Sequence, residues 1–263
     1  MNLETITLQA CVAVEQAAAF IRSESEKFSA SDVREKSAHN LVTYIDEGSE
    51  RMLIGELSKI LPGSGFIAEE SPGMERKQLS WIIDPLDGTT NFIHGLPMYS
   101  ISVALMEEGR VVSGIIYEAG QKEFFYTWQG APSFLNGNPI RVSSAGTLNE
   151  SLFATGFPYY DYSRLEPYLE HFRFMMQHTR GIRRLGTAAA DLAWVACGRF
   201  DGFYEYGLSP WDVAAGTLLV QNAGGKVCDF RAGADFIFGK EIVATNNLIH
   251  GEFIDSLKRF MGT

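Results

Sequence analysis

The chain of 263 residues is long enough for one large domain or two modest ones sharing an interface. Its apolar content of 46% and charged content of 21% exclude extensive disorder. A formal net charge of −10 argues against a general nucleic-acid surface, so an anionic ligand would need a local positive charge such as a metal ion.

Apolar positions at helical spacing between Leu3 and Lys27 (Ile6, Val12, Val14, Ala17, Phe20, Ile21) predict a long first helix. Glu4 stands where a signal peptide would carry a cation, and Glu15 interrupts the apolar stretch. No run reaches the roughly 18 apolar residues of a membrane span. Cys11, Cys197 and Cys228 are too few and too scattered for a disulfide framework, so a cytoplasmic protein is expected. A second helix is predicted from Asp46 to Ile60, stopping at Pro62-Gly63. Gly65 to Ala68 reads as a short strand leading into Glu69-Glu70-Ser71, and Leu79 to Ile83 as another, bounded by the turn Asp84-Pro85. From Tyr99 to Val142 the runs ISVALM, RVVSGIIY and KEFFYTW alternate with turns at Glu108-Gly109, Ala119-Gly120 and Asn136-Gly137, the pattern of an antiparallel meander. Beyond it, helices are predicted at Arg164–Gln177, Thr187–Cys197, Trp211–Ala223 and Glu252–Phe260. Strands are predicted near Ser151–Ala154, Gly202–Tyr206, Lys226–Asp229 and Ile242–Thr245. The polar stretch Ser143-Ser144-Ala145-Gly146 marks the expected boundary between an α+β half (1–145) and an α/β half (146–263).

Four segments carry chemistry. In Trp81 to Phe92 a strand delivers Asp84 and Asp87, three apart, on a loop stiffened by Pro85; paired hard oxygen anions suit Mg²⁺. Gly88-Thr89-Thr90 follows where the chain turns toward a helix, and free amides there suit a phosphate. The alternative is an Asx turn at Asp84 with Asp87 as a helix cap. Pro85 and Leu86 break the alternate-ligand rhythm of an EF-hand, and the spacing does not suit a haloacid-dehalogenase type of phosphatase. Asp212, in Ser209-Pro210-Trp211-Asp212, opens a helix and reads equally as its cap. Glu69-Glu70 after a strand, and Lys36 with the Asn40–Asp46 segment, read by themselves as solvated surface.

Together, the runs Glu69-Glu70-Ser71, Asp84-Pro85-Leu86-Asp87-Gly88-Thr89-Thr90-Asn91-Phe92 and Trp211-Asp212-Val213-Ala214-Ala215-Gly216 resemble the inositol monophosphatase family of lithium-sensitive, metal-dependent phosphatases. The resemblance extends over nearly the whole chain, through Lys36, the Asn40–Asp46 segment, Gly186-Thr187-Ala188-Ala189 and Gly224-Gly225. It implies an α-β-α-β-α sandwich, commonly dimeric. It also implies two or three Mg²⁺ ions held by Glu69, Asp84, the Leu86 carbonyl, Asp87 and Asp212. Phosphate monoester hydrolysis is among the slowest uncatalysed reactions, and metals acidify water and neutralise phosphate and alkoxide oxygens together. No motif supplies an obvious nucleophile, so direct attack by a metal-bound water is expected. By the same resemblance Thr89, oriented by Asp46 and with Glu69 close by, positions and deprotonates that water. The amides of Gly88 and Thr89 hold phosphate, and Asp212, Glu205, Gly186, Thr187 and Ala188 meet the substrate. Arg183 is a further candidate there, and equally a surface cation.

Thr89-Thr90-Asn91-Phe92 with His94-Gly95 resembles the inositol-phosphatase branch, making inositol 1-phosphate the expected small phosphorylated alcohol. The resemblance keeps histidinol phosphate, the NADP 2′-phosphate and sugar phosphates open, because bacterial-looking members of the family often accept several monoesters, and Phe157-Pro158-Tyr159-Tyr160-Asp161-Tyr162 departs from the family's animal form at the expected pocket rim. A binding or regulatory protein that keeps its metal site is the reading of another class.

Overall fold

The computed structural model describes residues 1–29, 33–37, 40–158 and 161–262, with backbone alone at 35–37, 40 and 41. The side chain of Lys36 and residues Tyr159 and Tyr160, singled out above, lie outside what is described. The chain opens with α1 (Leu3–Ser25), a hairpin of β1 (Val33–Ser37) and β2 (Asn40–Thr43), and α2 (Tyr44–Ile60). A seven-stranded sheet follows: β3 (Gly65–Ala68), β4 (Leu79–Asp87), β5 (Ser100–Glu107), β6 (Arg110–Glu118), β7 (Glu123–Trp128), β8 (Ser133–Leu135) and β9 (Asn138–Ile140). Its strands stand in sequence order, parallel between β3 and β4 and antiparallel thereafter. The short helix α3 (Thr89–Ile93) interrupts the sheet between β4 and β5.

The second half supplies β10 (Leu152–Thr155), α4 (Leu165–His178), β11 (Gly181–Arg183), α5 (Ala188–Ala196), β12 (Gly202–Tyr206), α6 (Pro210–Asn222), β13 (Lys226–Cys228), β14 (Glu241–Thr245) and α7 (His250–Met261). Its five-stranded sheet has the order β11-β10-β12-β14-β13, parallel among the first three and antiparallel beyond.

Alternation along the strands sorts these elements into five layers. On β4, Trp81 and Ile83 face α1 and α2, while Ile82 faces α5 and α6. On the second sheet, Ala154, Phe203 and Ala244 face the same helix pair, while Phe153, Tyr204 and Val243 pack under α4 and α7. The order is therefore α1/α2, first sheet, α5/α6, second sheet, α4/α7: the expected α-β-α-β-α sandwich. Because α5 and α6 are covered on two sides, they lack the polar stripe of a surface helix; Val213 to Val220 are all buried. Small residues make that layer thin. A Cβ on Gly114 of β6 would stand 2.6 Å from the Ala215 carbonyl oxygen, and one on Gly216 would stand 2.5 Å from Leu192. No helix among the described residues is long and apolar enough to cross a membrane.

Three details differ from the sequence reading. β4 does not stop at Asp84-Pro85 but runs on to Asp87, because a bulge (Asp84 opposite Ser102, Asp87 opposite Ser100) accommodates the proline without a ladder donor. The β1–β2 hairpin was not expected, since VREKS is charged and lacks apolar alternation. Strand β11 was missed because three residues are too few to show a period.

Candidate active site

The bulge in β4 puts two carboxylates on one side of a strand end. Asp84 is fully buried, and its Oδ1 accepts from the Leu86 amide at 3.0 Å, so the Asx turn weighed from sequence does form. Asp87 is also a cap, though not of the helix that follows it. Its Oδ2 accepts from the Thr187 hydroxyl (2.5 Å) and the Ala189 amide (2.8 Å), closing the start of α5 a hundred residues away. Asp212 forms a capping box on α6, its Oδ2 accepting from the Ser209 amide at 2.7 Å. Capping and site membership thus coincide, since the caps use one oxygen each. Glu69 follows β3, and its segment is fixed where the Glu70 amide donates to Glu50 of α2 at 2.7 Å.

These acids share one low-dielectric space. Burial, then the charges of Glu69, Asp87 and Asp212, hold the Asp84 carboxyl well above the usual range. Burial followed by the Asp87 charge pushes Asp212 to about 8. Asp87 rises only to about 6, because burial is opposed by the Thr187 hydroxyl, the Ala189 amide and the Arg184 guanidinium. A cluster of oxygen donors that burial keeps protonated suits a hard divalent cation, which would take the place of the protons. Among the described residues no three acids stand in ready-made coordinating geometry. Asp84 instead stands close enough to Glu69, Asp87 and Asp212 for the charge of each to act on it. The donor set fits Mg²⁺ in its chemistry, and the Leu86 carbonyl lies beside it, 3.0 Å from the Thr89 hydroxyl.

Thr89 and Asp46, 43 residues apart, meet: the Thr89 hydroxyl also lies 3.0 Å from Asp46 Oδ1. The other oxygen of Asp46 closes the capping box of α2, accepting from the Thr43 amide (2.9 Å) and hydroxyl (2.6 Å). Burial raises the Asp46 carboxyl despite these donors. Gly88, at φ 94°, is the residue that lets β4 turn into α3. A Cβ there would come within 3.1 Å of the Met98 carbonyl and 3.2 Å of the Gly186 carbonyl. Site residues consequently stand at the first turns of four helices: Asp46 of α2, Thr89 of α3, Thr187 and Ala188 of α5, and Asp212 of α6.

A cavity of about 210 Å³ opens on this cluster, a size that suits a small metabolite. It is lined by Glu69, Asp87, Gly88, Thr89, Gly186, Thr187, Ala188, Glu205 and Asp212, which places nearly all the expected residues around one space. Asp84, Leu86 and Asp46 stand behind that lining. Glu205 is the penultimate residue of β12, in a buried position, and burial, partly offset by Arg184, lifts it to about 8. Arg183 is the exception. Its side chain lines a separate cavity with Arg180 and Asp201, and its Nη1 donates to the Ile182 carbonyl. Successive residues leaving a strand point to opposite sides, so it is Arg184 that lines the active cavity. Recognising β11 would have separated the two arginines. Asp191 was also missed; it sits fully buried on α5, acted on by Glu205, Asp87 and Arg184. The clue was a lone acid inside the apolar run AAADLAWVA.

Comparison with known proteins agrees with this arrangement. The sequence profile of the Inositol monophosphatase family matches residues 2–260. The chain is 40% identical over 226 residues to a Mesorhizobium japonicum protein named inositol-1-monophosphatase, covering 85% of each chain. It is 42% identical over 227 residues to Nus factor SuhB of Pseudomonas aeruginosa, covering 84% of each. The crystal structure of extragenic suppressor protein suhB from Bartonella henselae superposes with a TM-score of 0.90 at 38% identity, over 98% of this chain and 99% of that one. With the fold, the acid cluster and the profile in agreement from end to end, the chain belongs to the inositol monophosphatase family.

Proposed function

We propose that this protein hydrolyses a small phosphate monoester in a Mg²⁺-dependent reaction, with inositol 1-phosphate as the first candidate. One observation carries the reading: a hydroxyl held by a carboxylate, Thr89 on Asp46, stands beside a buried cluster of oxygen-only donors. Glu69, Asp84, the Leu86 carbonyl, Asp87 and Asp212 would hold two or three Mg²⁺ ions. When bound, the ions supply neutralisation of phosphate oxygens and of the departing alkoxide, and acidity to water.

The chain's own residues do the rest. The Thr89 hydroxyl donates toward Asp46 and so keeps its lone pairs free to accept from the attacking water. Asp46, its carboxyl raised by burial, is the proton acceptor at the end of that line, with Glu69 close by. The amides of Gly88 and Thr89 bind phosphate oxygens; α3 has only five residues, so these amides act as individual donors and not through a helix dipole. Water's oxygen bonds to phosphorus as the bond to the alcohol breaks, and no side chain is phosphorylated. Glu205 and the Gly186-Thr187-Ala188 segment orient the alcohol. Residues 1–145 would supply most of the metal ligands, and 146–263 would supply Asp212 and the alcohol contacts.

The test is inorganic phosphate release from inositol 1-phosphate, histidinol phosphate, fructose 1,6-bisphosphate and NADP, with Mg²⁺, with chelator, and with Mg²⁺ plus Li⁺. Chelator-sensitive, lithium-inhibited turnover fastest on inositol 1-phosphate supports both mechanism and substrate. The relatives named Nus factor SuhB favour a second reading, a regulatory partner that retains the site. Folded protein with Mg²⁺ that releases phosphate from none of the esters would select it.

A further inference from the structure

Outside the acid cluster, beside the edge strand of the second sheet, a thiol and an imidazole face each other. Cys228 closes β13 and His250 opens α7, and Cys228 Sγ stands 3.8 Å from His250 Nε2. The other ring nitrogen, Nδ1, lies 2.8 Å from the hydroxyl of Thr245, the buried last residue of β14. In the tautomer in which Nδ1–H donates to Thr245, Nε2 turns its lone pair on the sulfur. Both members of the pair line a surface cavity separate from the one that opens on the acids. Ala232-Gly233-Ala234 also line it, from a loop wound around Asp229, whose Oδ1 accepts from the Arg231 (2.8 Å) and Gly233 (2.7 Å) amides. Three small residues there leave room beside the pair.

Neither group takes part in the phosphatase chemistry proposed above, and a thiol buried for its bulk alone needs no imidazole oriented by a third residue. The spacing is that of two ligands on one ion. With sulfur at about 2.3 Å and nitrogen at about 2.0–2.1 Å from a metal, a separation of 3.8 Å subtends an angle of about 120°. The pair can therefore hold an ion where it stands, with the remaining positions open to water from the cavity. Thiolate and imidazole select soft or borderline cations, whereas the oxygen-only cluster suits Mg²⁺. Burial and Lys226 keep the imidazole neutral and ready to ligate. Burial and Asp229, against Lys258, push the thiol up to about 11, so an ion there must displace a proton from sulfur.

We propose that Cys228 and His250 form a second metal site, for a thiophilic d¹⁰ cation of the Zn²⁺ and Cd²⁺ kind, with Thr245 orienting the imidazole. The ion takes the place of the thiol proton, which leaves to solvent, and ties β13 to α7.

Cd²⁺ is the probe, added to protein in excess Mg²⁺ so that the acid cluster is occupied; the thiolate-to-Cd²⁺ charge-transfer absorption reports binding. Wild type and Cys11→Ser/Cys197→Ser should both develop the band with about one equivalent of Cd²⁺. Calorimetry in buffers of different ionisation enthalpy should show about one proton released. Cys228→Ser should abolish the band. Thr245→Val should weaken Cd²⁺ affinity about tenfold, the scale of losing the partner that orients a ligating imidazole, and His250→Gln should weaken it further. Cd²⁺ should raise Tm in wild type and leave it unchanged in Cys228→Ser, whose circular dichroism checks that it folds. A band that persists in Cys228→Ser, or an affinity unaltered in His250→Gln, overturns the proposal. Wild type that develops no band leaves the pair a structural hydrogen bond only and overturns it as well.

Discussion

In chelator, raising the pH from about 6.5 to about 8 should lower the thermal stability of the folded chain. Asp212 and Glu205 are held near 8 against ordinary values of 3.8 and 4.5, so the folded chain keeps protons that the unfolded chain has released. An acid displaced upward costs nothing below its unfolded pKa and progressively more as pH climbs toward its folded one. Burial pushes His171 and His250 downward, so their contribution rises with pH, but only up to their ordinary value of 6.5. Above that point the acids act alone. Each pH unit is worth about 1.4 kcal/mol per group, or about 2 kcal/mol across the window. Asp212 and Glu205, the two acids held near 8, are the two groups counted. The total is on the order of 4 kcal/mol, and at about 2 °C per kcal/mol for a chain of this size Tm should fall by about 8 °C. Saturating Mg²⁺ replaces protons on the cluster, so its stabilising effect should be larger at the upper pH. Differential scanning calorimetry at both pH values, with chelator and with Mg²⁺, measures all four corners. A Tm in chelator that is flat or rises across the window would refute the assignment of buried, proton-holding acids.

Asp87→Asn should lower kcat by at least about a hundredfold, the scale of one lost transition-state contact, and near-normal turnover at saturating Mg²⁺ would remove Asp87 from the ligand set. Thr89→Ala and Asp46→Asn should each cost a similar factor, and the double variant little more, since the two act as one line; multiplicative losses in steady-state kinetics would separate them. Gly114→Ala should destabilise the chain by about 1–3 kcal/mol, because its Cβ meets the Ala215 backbone and not a side-chain end free to move. A melting temperature within a degree of wild type would show that the sheet and α6 pack less closely than described.

Much of the architecture was written in local periodicity. The strand runs of the meander and the capping sequence Ser209-Pro210-Trp211-Asp212 announce their elements because their side chains satisfy nearby groups. What escaped depends on distant partners. Asp87 looked like a cap of the adjacent helix, yet its hydrogen bonds go to Thr187 and Ala189. The meeting of Thr89 with Asp46 did not escape, but it was expected through the family resemblance, since no spacing encodes such a tertiary contact. Arg183 and Arg184 are chemically identical neighbours, and only the direction in which the chain leaves β11 distinguishes the one lining the cavity. Asp191 drew no notice as a lone acid in an apolar helix, since the groups acting on it, Glu205, Asp87 and Arg184, come from elsewhere in the fold.

The four helices that begin at the site also predict where the chain tolerates being lengthened. A residue inserted just ahead of α2, α3, α5 or α6 displaces Asp46, Thr89, Thr187 or Asp212. At the opposite ends of three of these helices the turns pass through Gly63, Gly95 and Gly224, each facing open space. After α5 the turn at Gly198 instead presses on Ser143 and Arg141. New loops or fused modules therefore belong after α2 and α6, the two long helices among these, and the same asymmetry should govern where length variation accumulates as such chains diverge.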